Sequence, residues 1–360
     1  MKKYLCGALA ITAGLYSSLT MAETVIYGIV DTGVEYVTNT NAAGNSVVKM
    51  PSLTGSFPSR IGFKGTEDLG GGLNAFFVLE SGFALDTGVQ GQGNRLFGRQ
   101  ANVGLKNTYG TLTLGRQVNM TYMSFLKADV MGPNIHGMSN MDGYLPNSRS
   151  DNAIGYLGKF ADVTVGATYS FGRDASAAGG PAATNCAGEV AGDSKACRQV
   201  TGLLAYDTKS FGVATAYDKL YGGTGAAGGL TNSDYNVERI SLNGYALFGQ
   251  AKIGLGLIKR KTHTATDDTA DLYYLGLSYP FANNWVLDTQ VARLDVKSSP
   301  DSSTQFVARA TYNFSKRTAV YASVGHISND GAAHISVSAG DSVGVGMNQT
   351  GVMTGIRHVF

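Results

Sequence analysis

The chain has 360 residues, of which 43% are hydrophobic, 15% are charged, 49 are glycine and only 7 are proline. The glycine has no three-residue period and the Ala, Glu, Lys and Leu bias of long helices is missing, which excludes a collagen, a coiled coil and a disordered polymer. The formal net charge is only +2. A chain so close to neutral gives no electrostatic reason to bind nucleic acid, so we expect a β-rich globular or membrane protein.

Residues 1–22 have the pattern of a secretory signal peptide. Lys2 and Lys3 precede an apolar stretch, and Ala22 supplies a small residue at the cleavage position. A membrane anchor is the alternative, but the apolar stretch is shorter than the roughly 20 residues that a spanning helix needs. We predict cleavage after Ala22, which leaves 26 basic and 26 acidic residues in one exported domain, residues 23–360.

The chain contains three cysteines. Cys6 falls in the signal segment and leaves with it. Cys186 and Cys197 lie in one stretch rich in Gly, Ala and Ser, with no metal-ligand pattern around them. Exported proteins can keep disulfides, so we predict one bridge inside one loop. The sequence predicts no metal site and no cofactor.

The recurring pattern of the exported chain has a period of two. In residues 163–171 every odd position is apolar and every even position is small or polar. Residues 239–248 alternate similarly, with Ile240 and Leu242 opposite Arg239. Such alternation predicts strands with two unlike faces. No stretch reaches about 18 consecutive apolar residues, which excludes membrane-spanning helices.

The connections between the predicted strands alternate between very short and long. Seven are short, at residues 66–71, 107–110, 161–162, 209–210, 249–250, 282–284 and 315–317. Eight are long and polar, at residues 38–56, 84–96, 118–148, 173–199, 219–235, 263–269, 297–303 and 329–348. This asymmetry is typical of outer-membrane barrels, with tight periplasmic turns and long outside loops. We therefore predict an all-β fold, an antiparallel transmembrane barrel of about sixteen strands.

A soluble β-sandwich is the alternative fold. The aromatic residues disfavour it, because many of them gather at strand ends beside the short turns, where membrane-interface girdles would place them. These residues are Phe160, Phe211, Phe248, Phe281, Trp285, Phe314 and Phe360.

Six segments are recognisable as motifs. They are VIYGIVD at 25–31, SRIGFKGTEDLGGGL at 59–73, LESGF at 79–83, LFGRQANVGL at 96–105, TLGRQ at 113–117 and GIRHVF at 355–360. Together they resemble the general diffusion porins of Gram-negative bacteria, most closely the neisserial and β-proteobacterial branch. The resemblance implies a homotrimer of sixteen-stranded barrels in the outer membrane, each with a water-filled pore for small hydrophilic solutes and anions.

In that family the third outside loop folds into the barrel and narrows the pore, which assigns this role to residues 118–148. The family's other partners would be outer-membrane lipid, lipopolysaccharide and the barrel-assembly machinery. The terminal Phe360 resembles the signal that this machinery reads.

The resemblance also implies a constriction where arginines of the wall face carboxylates of the third loop. Arg60 and Arg149 match wall positions and share parity with lumen-facing neighbours. Arg99 matches the third wall arginine, but strict alternation places it on the apolar face, so either a β-bulge intervenes or the assignment is wrong. Arg116 has the same parity problem.

Three carboxylates are candidates for the constriction. Glu80 should face the lumen and could pair with an arginine there. Asp129 is the first candidate from the third loop and Asp142 the second, although the family's usual acidic motif is not clearly present. Ordinary solvated lumen charges are the alternative interpretation. Because a cluster of one charge sets the ion preference of a pore, the surplus of arginine predicts a preference for anions.

Two other functions compete with general diffusion. An outer-membrane barrel enzyme would need a nucleophile with a nearby base, but the histidines lie in loops or at strand ends without a nucleophile motif, so no catalytic residue is predicted. A sugar-specific porin would line its channel with aromatics, and the third loop has Tyr122, Phe125 and Tyr144 without an obvious stacking ladder. The histidines are His136, His263, His326, His334 and His358.

Overall fold

The computed structural model describes residues 23–52, 54–176 and 184–360. The predicted signal peptide lies outside the described residues. The strands are β1 Glu23–Val37, β2 Val47–Lys49, β3 Arg60–Asp68, β4 Asn74–Gly82, β5 Gln100–Asn107, β6 Gly110–Val118, β7 Arg149–Ser150, β8 Ala153–Phe160, β9 Val163–Ser170, β10 Gln199–Asp207, β11 Phe211–Tyr221, β12 Asn236–Phe248, β13 Ala251–His263, β14 Asp268–Ala282, β15 Trp285–Val296, β16 Ser302–Asn313, β17 Thr318–Asp330 and β18 Gln349–Val359.

These eighteen strands make a barrel of sixteen strands. The short β2 lies in the first long connection and pairs with the end of β1, so it is not part of the barrel wall. β7 and β8 both pair with β6 and together count as one barrel strand. The first half of β1 pairs with β3 and its second half with β18, which closes the sheet. Closure leaves no free edge. The prediction of a sixteen-stranded antiparallel barrel is confirmed.

Two short helices accompany the strands, α1 Gly91–Asn94 and α2 Met120–Phe125. Two single 3-10 turns follow α2, at Met138–Asn140 and Leu145–Asn147. Within the described ranges, no helix has the length and apolar character needed to cross a membrane.

The strands present an apolar face outward and a polar face to the lumen. On β12, Ile240 and Leu242 are 53% and 55% exposed, whereas Ser241 and Asn243 are each 2% exposed. An outer face that water would penalise and a polar interior are the pattern of a barrel set in lipid. The predicted alternation is confirmed over residues 239–243, whereas at the end of the strand Leu247 and Phe248 are both exposed.

The seven short turns and eight long connections lie where the sequence pattern predicts them, with several boundaries shifted by two or three residues; β11, for example, continues to Tyr221, into the connection expected from residue 219. The first short turn was expected to start at Thr66, but β3 continues to Asp68, which pairs with Asn74. The turn itself falls at residues 69–73. Its three consecutive glycines all have φ between +62° and +83°, a conformation that side-chain-bearing residues adopt only with strain.

Aromatic side chains form a girdle at the short-turn end. Trp285 lies 6.0 Å from Phe281 and 5.0 Å from Tyr312 between ring centroids, and Tyr312 lies 5.0 Å from Phe314. Phe281, Trp285 and Phe314 are exposed on the outer face. Phe360 closes the barrel at this end, where its backbone exchanges two hydrogen bonds with Gly28.

The third long connection folds into the barrel, as predicted. Its helix α2 begins against β10, where the Met120 N–H donates to the Thr201 hydroxyl at 3.2 Å. Further along, the Met138 N–H donates to Gln290 Oε1 on β15 at 2.9 Å. The connection therefore crosses the lumen from one side of the wall to the other and narrows it.

The fourth long connection is closed by a disulfide between Cys186 and Cys197, which confirms the predicted pairing. Both cysteines are buried in a small apolar cluster with Leu220 of β11, Leu230 and Val237 of β12. The bridge thus belongs to a cap made by the fourth and fifth connections.

Replacing both cysteines with serine should loosen this cap and leave the conductance nearly unchanged. Closing so short a loop stabilises it by roughly 2 to 3 kcal/mol in the chain-entropy model, while the third connection keeps its own contacts with the wall. Limited proteolysis should cut the variant faster within residues 184–198, and planar-bilayer recordings should show nearly the parent's open-channel current. Two free thiols in the parent protein, found by mass mapping under non-reducing conditions, would contradict the assignment.

Candidate functional site

The lumen side of β3 to β5 carries a compact charge cluster. Glu80 on β4 is buried and accepts a hydrogen bond from Arg99 Nε at 2.6 Å. Arg60 Nε lies 3.7 Å from the other carboxylate oxygen of Glu80, to which the Tyr27 hydroxyl also donates at 3.0 Å. One carboxylate is shared between two guanidiniums, so this cluster keeps one positive charge in excess.

Arg99 reaches the lumen through an irregularity at the start of β5. Glu80 pairs with Gln100 in the strand register, and its carbonyl oxygen also accepts the Arg99 N–H at 3.0 Å. Two consecutive residues opposite one are the arrangement of a β-bulge. The bulge explains why Arg99 is only 8% exposed although strict alternation places it with the outward Val103, which is 55% exposed.

Arg149 stands where the third connection rejoins the wall. It is 4% exposed, and its Nη1 donates to the Pro146 carbonyl at 3.3 Å and to Asn147 Oδ1 at 3.4 Å. Its Nε has no hydrogen-bond partner, and no carboxylate of the described ranges lies within ion-pair distance. It also interacts electrostatically with Arg99 and Arg116, and with Glu80, whose carboxylate already pairs with Arg60 and Arg99. Among the described residues Arg149 therefore has no ion-pair partner of its own.

The third connection does not balance this charge. Tyr122 of α2 interacts electrostatically with both Arg60 and Arg149, but it contributes a phenol and not a carboxylate. Three guanidiniums, from Arg60, Arg99 and Arg149, stand against the single carboxylate of Glu80. This group of side chains therefore has two more positive charges than negative ones.

Asp142, expected to face these arginines, instead binds the opposite wall. It accepts hydrogen bonds from Arg239 Nε and Nη2 on β12 at 2.9 and 3.2 Å, and Arg260 of β13 lies 3.6 Å away. Burial alone would raise the pKa of Asp142, but the two guanidiniums outweigh it and lower that pKa. The negative charge of Asp142 therefore anchors the loop to β12 and β13.

Asp129 is likewise held against the wall and not directed toward the arginines. It is buried and accepts hydrogen bonds from Gln290 Nε2 at 2.8 Å and from the Met131 N–H at 3.0 Å. Burial raises its pKa to about 6, against the opposing effect of these bonds and of nearby Arg309. Asp129 is therefore the loop carboxylate that should titrate near neutral pH.

The ion preference should change little between about pH 7 and 9, because guanidiniums stay charged there, and should shift toward anions as the pH falls through about 6. Protonation of Asp129 removes a negative charge from the loop. This pKa lies above the ordinary value of 3.8, so the protonated Asp129 favours the docked loop. That stabilisation of the docked loop is complete below about pH 4 and is lost as the pH rises through about 6. Reversal potentials measured across this range test the shift, and Asp129→Asn should abolish it.

Arg116 belongs to a separate rim cluster. It forms an ion pair with Asp151, and its Nε donates to the Gly98 carbonyl at 2.6 Å. Arg95 of the second connection pairs with the same Asp151 and with Asp174 of the fourth. Arg173 pairs with Asp174 as well, so three arginines meet two aspartates here. Arg116 has its own partner in Asp151 and ties these connections together.

His136 was not singled out by the sequence, yet it anchors the tip of the third connection. It is fully buried, with Nε2 2.9 Å from Glu35 Oε1 on β1 and Nδ1 2.9 Å from the Ser323 hydroxyl on β17. Glu35 also accepts a hydrogen bond from Ser338 at 2.9 Å. Parity marks Glu35 and Ser323 as lumen-facing, but only the folded loop brings the histidine between them.

Tyr144 is a second anchor that sequence reasoning missed. Its hydroxyl donates to Asp218 on β11 and accepts from Gln199 Nε2 at 2.6 Å. The guanidiniums of Arg173 and Arg239 lie 5.0 and 4.2 Å from its ring centroid. The ring is enclosed by cations and buried, so it cannot serve as a stacking platform for a solute.

A closed sixteen-stranded barrel with an apolar outer face and a lumen narrowed by an inward loop defines a channel-forming protein of a bacterial outer membrane. The family described as Gram-negative porin matches residues 7–332, and the chain belongs to this family. It is an outer-membrane porin, a channel for passive diffusion of small hydrophilic solutes.

Known relatives match this chain over its full length or over about a third of it. Outer membrane porin protein 32 of Delftia acidovorans is 33% identical, over 100% of both chains. Major outer membrane protein P.IB of Neisseria meningitidis is 38% identical over 32% of this chain and 34% of its own length. The solved structure of an anion-selective porin from Comamonas acidovorans superposes with a TM-score of 0.76 at 28% identity, covering 94% of this chain and 100% of the other. The resemblance to the neisserial and β-proteobacterial branch is confirmed.

Proposed function

We propose that this porin prefers anions and that Arg60, Arg99 and Arg149 set the preference. The observation that carries the proposal is the uncompensated charge of the constriction, where three guanidiniums meet one carboxylate. Fixed charge at the narrowest section raises the local concentration of the opposite ion. The similarity to a porin described as anion-selective supports the same reading. A single-channel reversal potential in a KCl gradient is the direct test.

The two competing functions receive less support. A sugar-specific channel needs exposed aromatics, but Tyr144 is enclosed, and Tyr122 and Phe125 pack edge to face at 5.5 Å. For an enzyme, Ser323, His136 and Glu35 are hydrogen-bonded in the order of a catalytic triad. All three are buried where the third connection meets the wall, which closes the Ser323 hydroxyl to a substrate. We propose that they act only as an anchor.

We propose a homotrimer in which the second connection reaches over the neighbouring barrel. This connection carries exposed apolar side chains that its own barrel does not cover, Val89 at 56% and Leu96 at 60% exposure. Deleting residues 85–92 should weaken the oligomer without unfolding the barrel, because the strand ladder is untouched. Light scattering after size exclusion in mild detergent gives the mass, and a parent protein that migrates only as a monomer would refute the trimer.

We propose the remaining partners from the position of each segment in an outer-membrane barrel. Residues 1–22 would direct export and be removed. Phe360, whose ring is exposed at the periplasmic end of β18, would be read by the barrel-assembly machinery. The outer face would contact membrane lipid, and the long connections would contact lipopolysaccharide.

A further inference from the structure

A cavity of about 410 Å³ lies in the lumen on the periplasmic side of the third connection. Its position follows from its lining, which includes the short turn at residues 107–110 and the underside of the loop at Met123 and Lys127. The rest of the lining comes from β5, β6 and β8 to β12. We call this space the vestibule cavity. It is large enough for a small organic molecule.

One wall of the vestibule cavity is apolar, which is unusual for a porin lumen. Leu203 and Ala205 of β10 point inward, as shown by their 8% exposure beside the outward Leu204 at 54%. Leu157 of β8 and Met123 of α2 pack against them and are only partly buried. These four residues form the apolar strip. On β12, the neighbouring inward positions are polar, so the strip is confined to one side of the lumen.

Lysines border the apolar strip. Lys159 has the same parity as Leu157 on β8, and Lys106 is opposite Thr111, which in turn is opposite Leu157. Both lysines line the cavity, and neither forms an ion pair within the described parts of the chain. Lys127 is the third lysine of the lining, and its Nζ is held by Asp207 at 2.8 Å. The lining therefore keeps two positive charges that no carboxylate neutralises.

We propose that the vestibule cavity is a binding site for organic monoanions with an apolar body, of the size of an aromatic carboxylate. The carboxylate would meet Lys106 and Lys159 while the apolar body covers the strip. A chloride ion gains nothing from the strip, and a neutral apolar molecule gains nothing from the lysines. The inference rests on the proposed anion preference, because such solutes enter through the arginine constriction. Binding must stay weak enough for release.

The test uses benzoate, with acetate as the matched anion that lacks the apolar body. Isothermal titration of the detergent-solubilised porin should give a dissociation constant for benzoate about tenfold below that for acetate, from burial of the ring. In planar bilayers, benzoate on the periplasmic side should reduce chloride current at correspondingly lower concentration. The double variant Leu203→Ser/Leu157→Ser should bring benzoate to the level of acetate, since a polar lumen face is compatible with the barrel.

Two lysine variants test whether the anions bind to the lysines of the vestibule cavity or respond to any positive charge in the lumen. Lys106→Gln/Lys159→Gln should weaken both anions several-fold, whereas Lys64→Gln should change neither. Lys64 lies elsewhere on the wall, with its Nζ 5.2 Å from the Tyr27 ring centroid. Equal binding of benzoate and acetate by the parent, or unchanged benzoate binding in the serine variant, would overturn the inference. A cation-selective reversal potential would instead overturn the proposed anion preference. The titration measures binding at the vestibule cavity whatever the ion selectivity of the pore.

Discussion

Changing Arg60, Arg99 and Arg149 together to glutamate should reverse the sign of the zero-current potential in a KCl gradient. The substitution replaces three positive charges with three negative ones beside Glu80, at the section where the third connection narrows the lumen. Fixed charge at a narrow section acts on passing ions more strongly than the nearly neutral average of the chain. The parent pore should favour chloride and the variant potassium.

The size of the reversal should depend on salt. The Debye length is about 10 Å at 0.1 M and about 3 Å at 1 M, so both the parent's preference and its reversal should fade toward 1 M KCl.

A matched control, Arg293→Glu/Lys316→Glu/Arg317→Glu, makes the same charge change away from the constriction. Arg293 pairs with Asp295 near the outer rim, and the other two residues lie in a periplasmic turn. If the constriction variant stays as anion-selective as the parent, the three arginines are not the filter.

Replacing Arg239 with methionine should release part of the third connection and raise the single-channel conductance. The substitution leaves the Asp142 carboxylate buried with only the more distant Arg260. Removing one partner of a buried ion pair costs about 3 to 5 kcal/mol, and this cost falls on the docking of the loop because the strand ladder of the barrel remains intact. A displaced loop widens the narrow section, so the open-channel current should rise and become noisier.

The double variant Arg239→Met/Asp142→Asn distinguishes this explanation from a general disturbance of β12. With the carboxylate made neutral, no unpaired charge remains, and the conductance should return toward the parent's value. Thermal unfolding of the three proteins, followed by circular dichroism, controls for the barrel. An Arg239→Met channel with the parent's conductance would show that Tyr144 and His136 hold the loop without the ion pair.

Local sequence pattern determined the architecture of this protein. A period of two in the strands and the alternation of short and long connections are consequences of a closed barrel with one face in lipid, and both are visible residue by residue. The same parity placed Ile240 and Leu242 on the face opposite Arg239, and in the structure these two side chains lie on the outer face while Arg239 is buried. The disulfide was predictable because two cysteines in one exported loop leave one pairing.

Only the tertiary structure decided which charges meet across the lumen. Parity states the side of the sheet on which a residue lies, but a bulge reverses it, as at Arg99. The loop carboxylates could equally have faced either wall by sequence, and their partners are set by the path of a loop that no local pattern describes. Asp142 binds Arg239 on β12, and His136 meets Glu35 on β1. Because these buried contacts join residues about a hundred positions apart, they exist only once the barrel has closed around the loop.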